Sequence, residues 1–216
     1  MIILFDLDGT LIESTEAITS TFHHTFDFHG EKNPTDKEIE DLIGYPLDIM
    51  FARLGIQESR VWDFVDTYKK KYRTISKIKT ELLPQAKEAV ELASSFAELG
   101  IVTTKTGLYS KELMEHFGIM HHFEVLIGRE HVQNPKPHEE PILNALKEFK
   151  CDNKEIWMIG DTKLDLISAK NAGVNSIGVL SGYDDLDTLK KFTNVVLSDV
   201  FEAIKHLKSR KTAHTN

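Results

Sequence analysis

A single cysteine, Cys151, stands among the 216 residues. One thiol excludes an intramolecular disulfide, and alone it cannot build a thiolate metal site. It sits between Lys150 and Asp152-Asn153, a polar setting in which nothing marks it as reactive. Long apolar runs are missing too, since no stretch approaches the ~18–20 residues that a membrane-spanning helix needs. Basic charge is in deficit, with 26 Lys and Arg against 34 Asp and Glu and a formal net charge of −8. Such a chain gains nothing from the field of nucleic acid or of an anionic membrane, so neither is expected as a partner. The opening residues carry no basic charge ahead of their apolar run and do not read as a secretory leader. The expectation is a soluble cytoplasmic protein. There is no internal repeat and no low-complexity segment.

What is present is a hydrophobic fraction of 41%, enough for a core, and a charged fraction of 28%. The length suits one domain, or one domain carrying a smaller insertion. Short apolar runs without helical period recur along the chain, each cut off by polar residues or glycine. They are Ile2 to Leu7, Ile101 to Thr104, Val125 to Ile127, Ile156 to Ile159 and Ser176 to Leu180. Helical patterns lie between them, roughly over 83–99, 110–117, 139–149 and 164–172, the first with Pro84 in its opening turn and Gly100 as its stop. Strands alternating with helices predict an α/β fold, a doubly wound, mostly parallel sheet. The interval 14–80 breaks that rhythm. It has helical patterns only, with breaks at Gly30, Asn33-Pro34, Gly44-Tyr45-Pro46 and Gly55. It reads as four helices inserted after the first strand, a cap on a core made of 1–13 and 81–216, with Phe51, Leu54, Trp62 and Phe64 inside the cap. The basic tail from Lys205 to Asn216 is expected to fray.

Four groups of chemically able residues fall at the ends of the predicted strands, where open α/β sheets bind ligands. The first is Asp6-Leu7-Asp8-Gly9-Thr10. Two carboxylates this close repel one another, and a hard divalent cation relieves the repulsion. The second is Thr103-Thr104-Lys105, whose hydroxyls and backbone N–H groups can hold phosphate oxygens. Third comes Lys136 between Pro135 and Pro137, a cation on a stiffened segment. Fourth is Gly160-Asp161-Thr162-Lys163-Leu164-Asp165, with two acids four apart across a strand-to-helix turn. Each has a plainer reading: an Asp-Gly turn, strand threonines, a solvated lysine, a helix cap that leaves Asp165 in water. Their order, one after each strand, is what argues for a site. His23, His24, His121 and His122 are neighbours in pairs and are read as surface residues.

Together these motifs resemble those of the haloacid dehalogenase superfamily of phosphohydrolases, over nearly the whole chain. Gly44-Tyr45-Pro46-Leu47, Ile101 to Lys105 and Asn134 to His138 are most similar to the phosphoglycolate phosphatase group, except that Thr104 stands where that group commonly has Asn. The resemblance implies a Mg2+-dependent phosphatase acting on a small phosphorylated metabolite, 2-phosphoglycolate first, as a monomer or homodimer. Asp6 would be the nucleophile that forms an aspartyl-phosphate, and Asp8 the acid and base. The metal would be held by Asp6, the Asp8 carbonyl and Asp161, with Asp165 in support. Thr103 and Lys136 would hold phosphate oxygens. Apart from the resemblance, Thr104 is a further candidate for phosphate contact, and Tyr45, Arg53 and Lys105 are candidates for contacts with the non-phosphate end of the substrate. A β-phosphoglucomutase-like mutase or a pyrophosphatase would share these motifs. A receiver-type phosphoacceptor domain has similar residues but needs about half the length and no helical insertion. Dehalogenases lack the second acid, which Asp8 supplies here.

Overall fold

The computed structural model describes residues 1–150 and 154–213, so Cys151 lies outside the described residues. The chain divides into two compact units, Met1–Glu13 with Leu82–Asn216, and Ser14–Glu81. The first unit begins with β1 (Ile2–Phe5) and β2 (Ile12–Glu13). The second holds α1 (Thr15–Phe28), α2 (Asp36–Glu40), α3 (Leu47–Arg53) and α4 (Val61–Lys79). After β3 (Glu81–Leu82), which pairs with β2, come α5 (Ala86–Ser94), β4 (Glu98–Val102), α6 (Gly107–His116), β5 (Phe123–Ile127) and α7 (Glu140–Leu146). The chain continues through β6 (Ile156–Gly160), α8 (Lys163–Asn171), β7 (Asn175–Val179), α9 (Leu186–Leu189), β8 (Val196–Leu197) and α10 (Val200–Ala213).

Six strands form one sheet in the order β5-β4-β1-β6-β7-β8, every neighbouring pair parallel. Helices cover both faces, which is why the central strands β1 and β6 are apolar without alternation. Ile3, Phe5, Ile101, Ile159 and Ile177 point to one side, where residues of α5, α6 and α10 close the core. Ile2, Leu4, Val102 and Met158 point to the other, against Ile142 and Ala145 of α7 and Ala169 of α8. Strand β1 is central, and the winding direction reverses around it. Its C-terminal end and those of its neighbours β4 and β6 are therefore the crevice where such sheets take ligands.

The second unit is built on aromatic packing. Phe22 and Phe26 of α1, Phe51 of α3 and Phe64, Tyr68 and Tyr72 of α4 are all buried, with the Phe22 and Phe51 rings 4.7 Å apart. The buried face of α4 runs through Val61, Phe64, Val65, Tyr68 and Tyr72. Trp62 is one residue off that face and is 61% exposed, so it does not belong to this core as the sequence suggested. Leu54 is only half-buried.

Three other expectations are corrected. The helical pattern over 83–99 is shorter, covering Ala86–Ser94, because Gln85 adopts φ +59 and Pro84 lies before the helix. Gly100 is not a helix stop but the middle of β4, where a Cβ would stand 2.8 Å from both Leu4 Cδ2 and Val125 Cγ1. The tail does not fray at Lys205. Helix α10 runs to Ala213 because Val200, Ala203, Ile204 and Leu207, at helical spacing, are buried. Gly100→Ala should lower the unfolding free energy by about 1–3 kcal/mol through overpacking, read as a shifted urea midpoint at unchanged slope.

Candidate active site

The ends of β1, β4 and β6 lie side by side, about 4.8 Å from strand to strand, and each hands one functional residue to the crevice. Asp6 follows β1, Thr103 follows β4 and Asp161 follows β6, all three buried. Asp165 enters from the first turn of α8, where its carboxylate Oδ2 accepts the Thr162 N–H at 3.0 Å and the Thr162 hydroxyl at 2.7 Å. The plainer reading of this motif was a helix cap with Asp165 in water. The cap exists, yet Asp165 is fully buried, because Gly160 leaves room that a Cβ, 2.4 Å from Asp165 Cγ, would fill.

Asp6, Asp161 and Asp165 bring carboxylate oxygens within 4.8 Å of one another. Lys136 reaches them from the segment between β5 and α7. Its ammonium donates to Asp6 Oδ1 at 2.8 Å, to the Val102 carbonyl at 3.1 Å and to Asp165 Oδ1. The loop that presents it is pinned by Glu140, whose carboxylate accepts the Gln133 and Asn134 N–H groups at 2.8 and 2.9 Å. Ser168 adds a hydroxyl to the His138 carbonyl at 2.7 Å.

Burial pushes Asp6 up to about 7, with the charges of Asp165 and Asp8 adding to it and Lys136 opposing it. Asp161 is raised well above the usual carboxylate range, first by burial and then by Asp165 and Asp6. Burial alone would lower the Lys136 ammonium, but the Asp165 and Asp6 charges overcome it and hold the group protonated. Three carboxylates around one ammonium leave the cluster short of positive charge. Its donors are all hard oxygens. That set fits a divalent cation of the Mg2+ type and fits a thiophilic metal poorly. Both oxygens of Asp165 are already bonded to protein donors, so its place is in support, whereas no hydrogen bond other than that of Lys136 reaches the Asp6 carboxylate among the described residues.

Asp8 lies apart from this cluster and pairs with Lys105 at 3.0 Å. Thr103 Oγ1 accepts the Lys105 N–H at 3.2 Å, which leaves the Thr103 hydroxyl proton for another acceptor. Thr104 is half-buried next to it. Tyr45 and Arg53 belong to the helical unit, where the Arg53 guanidinium lies 4.0 Å over the Tyr45 ring. Within the first unit the structure thus brings together Asp6, Asp161, Asp165 and Lys136, with Asp8, Lys105 and Thr103 on the adjoining strand ends.

Sequence reasoning missed the groups that hold Asp161. The Thr10 hydroxyl donates to its Oδ1 at 2.9 Å and the Tyr183 N–H to its Oδ2 at 3.0 Å. The Ser181 hydroxyl donates to the Gly9 carbonyl at 2.8 Å and ties the two loops together. Thr10 was visible as the last residue of the first motif. The contact from Tyr183 is through the backbone, and its one trace is Gly182, where a Cβ would stand 2.0 Å from Asp161 Oδ2.

Comparisons with known proteins agree with this geometry. The profile of the haloacid dehalogenase-like hydrolases matches residues 3–179. The chain is 34% identical to pyrophosphatase PpaX of Halalkalibacterium halodurans over 191 residues, 88% of each chain. It is 28% identical to a phosphoglycolate phosphatase of Neisseria meningitidis, over 88% of this chain and 84% of that one. The solved structure of a haloacid dehalogenase-like family hydrolase from Streptococcus pneumoniae superposes with a TM-score of 0.85 at 27% identity, covering 95% of this chain and 97% of the other. With the profile running from β1 through β7 and the charged cluster lying inside that span, the chain belongs to the haloacid dehalogenase-like hydrolase family.

Proposed function

We propose that this protein is a Mg2+-dependent phosphatase of small phosphorylated metabolites that works through an aspartyl-phosphate on Asp6. The observation that carries the reading is the setting of Asp6, a buried carboxylate at the end of the central strand, gripped on one oxygen by Lys136 and faced by two further acids. A phosphoryl group in transfer spreads its charge over three equatorial oxygens, and what it needs around it is positive charge and fixed donors. Lys136, the Thr103 hydroxyl and the backbone beside Thr104 are such groups.

In the first step an Asp6 oxygen bonds to phosphorus and the bond to the leaving oxygen breaks. That oxygen keeps the electron pair and takes a proton from Asp8. In the second, Asp8 removes a proton from the water that attacks the aspartyl-phosphate, and inorganic phosphate departs with Asp6 restored. A divalent cation bound by Asp6, Asp161 and the Asp8 carbonyl would supply further neutralisation of the transferring group. Asp165 orients Lys136 and shares its charge.

The substrate favoured by the motif resemblance is 2-phosphoglycolate. The likeness to pyrophosphatase PpaX supports pyrophosphate as the second candidate. The test is phosphate release from 2-phosphoglycolate, pyrophosphate, β-glucose 1-phosphate and p-nitrophenyl phosphate, with Mg2+ and with EDTA. Turnover should require the metal. It should fall about a thousandfold or more in Asp6→Asn, since deletion of a nucleophile removes the whole covalent route. An Asp6→Asn variant that keeps its activity would refute the reading. Mg2+ should also raise the melting temperature, by the equivalent of about 2.7 kcal/mol at a hundred times its Kd. Asp161→Asn should flatten that rise, as followed by differential scanning calorimetry across a Mg2+ titration.

A further inference from the structure

The Lys105 ammonium lies 3.0 Å from Asp8 Oδ1, and the two side chains are only 10% and 12% exposed. The backbone that carries Lys105 is fixed on both sides. Its N–H donates to Thr103 Oγ1 at 3.2 Å, and its carbonyl accepts the Arg129 N–H at 2.9 Å. Close approach of that second loop depends on Gly128, where a Cβ would stand 2.3 Å from Gly107 N and 2.9 Å from the Lys105 carbonyl. Lys105 is therefore built into the site and not a surface lysine resting against an acid. Lys136 takes the charge of Asp6 and Asp165, and Lys105 faces Asp8.

In the reading above, Asp8 gives its proton to the oxygen that leaves. A cation in contact with the Asp8 carboxylate is then a neighbour of that oxygen and of the fragment attached to it. We propose that Lys105 selects the leaving fragment, favouring phosphate compounds whose departing half carries a second negative charge. Pyrophosphate and an ester with a carboxylate close to its bridging oxygen are of that class. The inference rests on the roles proposed for Asp6 and Asp8. When the bridging bond breaks, its electron pair stays on the departing oxygen. An alkoxide needs the Asp8 proton at that moment, whereas a departing phosphate or p-nitrophenolate holds the pair as a stable oxyanion, and what Lys105 meets is the further negative charge carried by a departing phosphate or carboxylate fragment. A substrate without the second charge leaves the ammonium paired with Asp8 and gains nothing from it.

The experiment compares kcat/KM for pyrophosphate, 2-phosphoglycolate and p-nitrophenyl phosphate in the parent, Lys105→Met and Lys105→Arg. Circular dichroism confirms that each variant is folded. The quantity read is the ratio of each doubly anionic substrate to p-nitrophenyl phosphate, which carries no charge beyond the transferred group. Lys105→Met should lower at least one ratio about tenfold or more, because a site made to pair with a charged group rejects the analogue that lacks it. Lys105→Arg should keep that ratio within about threefold, since the charge is retained. Ratios unchanged in Lys105→Met, even with all three activities reduced together, would overturn the proposal and leave Lys105 as a group that merely holds Asp8. If Lys105→Met does not fold, a ratio that collapses in the folded Lys105→Arg variant overturns it equally. Absence of metal-dependent hydrolysis in the parent, on all three substrates, would instead remove the phosphatase reading on which the inference stands.

Discussion

The arrangement depends on one buried ammonium. Lys136 is 3% exposed, and burying a lysine is tolerable only when opposite charge and hydrogen-bond acceptors replace the water it loses. Asp6, Asp165 and the Val102 carbonyl provide these, and they come from the ends of β1 and β4 and from the first turn of α8. One side chain therefore clamps three separately positioned pieces of backbone. The dependence is mutual: without Lys136, Asp6, Asp161 and Asp165 would repel one another in a medium that screens them poorly. Removing one partner of such a cluster strands the other, which typically costs about 3–5 kcal/mol, so the groups proposed to react are also structural ones.

Topology explains why these groups meet. Strand β1 is flanked by β4 and β6, so residues nearly a hundred positions apart emerge at adjacent strand ends. A parallel sheet points all those ends the same way. The backbone then closes in where glycine permits it. Gly9 and Gly182 both approach Asp161 so closely that a Cβ would overlap its carboxylate, and Gly9 also needs φ +81. Asp161 is thus enclosed by main chain and fixed by Thr10 and Tyr183, leaving it little freedom to relax away from the neighbouring acids.

Much of this was legible in the sequence, for physical reasons that can be named. The central strands of a doubly covered sheet must be apolar on both faces, so β1 and β6 stand out as uninterrupted runs, while β5 and β7 show only the apolar stretches Val125 to Ile127 and Ile177 to Val179. Charged residues at the ends of such runs are conspicuous, which is how Asp6 and Asp161 were picked out, whereas Lys136 was singled out by its two flanking prolines. What was obscure had competing local signals. Glu98-Leu99-Gly100 looked like a helix end because glycine usually stops helices, while here it makes room for Leu4 and Val125. The last helix was hidden by its basic residues, with Lys205 and Lys208 alternating with the buried Ile204 and Leu207. Contacts made by backbone, such as that of Tyr183 on Asp161, leave no side-chain signature. The pairing of Lys105 with Asp8 was invisible because each residue lies three positions past the end of its strand, where the turn alone sets the direction of the side chain.

The electrostatics also separate what the site needs to be stable from what it needs to react. Asp165 is saturated, with both oxygens bonded to protein donors, and such a carboxylate can orient a neighbour but has little left to offer a ligand. Asp6 is held by a single donor and is raised to about 7 by its burial, and Asp161, raised well above the usual carboxylate range, is held only by the neutral Thr10 and Tyr183 donors among the described residues. Local rules of protein stability are broken where these acids meet, and a break of that kind is expected at a functional site. The imbalance is one of charge, lies at the ends of β1 and β6, and is of the sign that a bound divalent cation would relieve. Fold and chemistry are therefore the same constraint: the sheet places three acids closer than they would choose, Lys136 holds them there, and the remaining deficit of positive charge defines what the crevice binds.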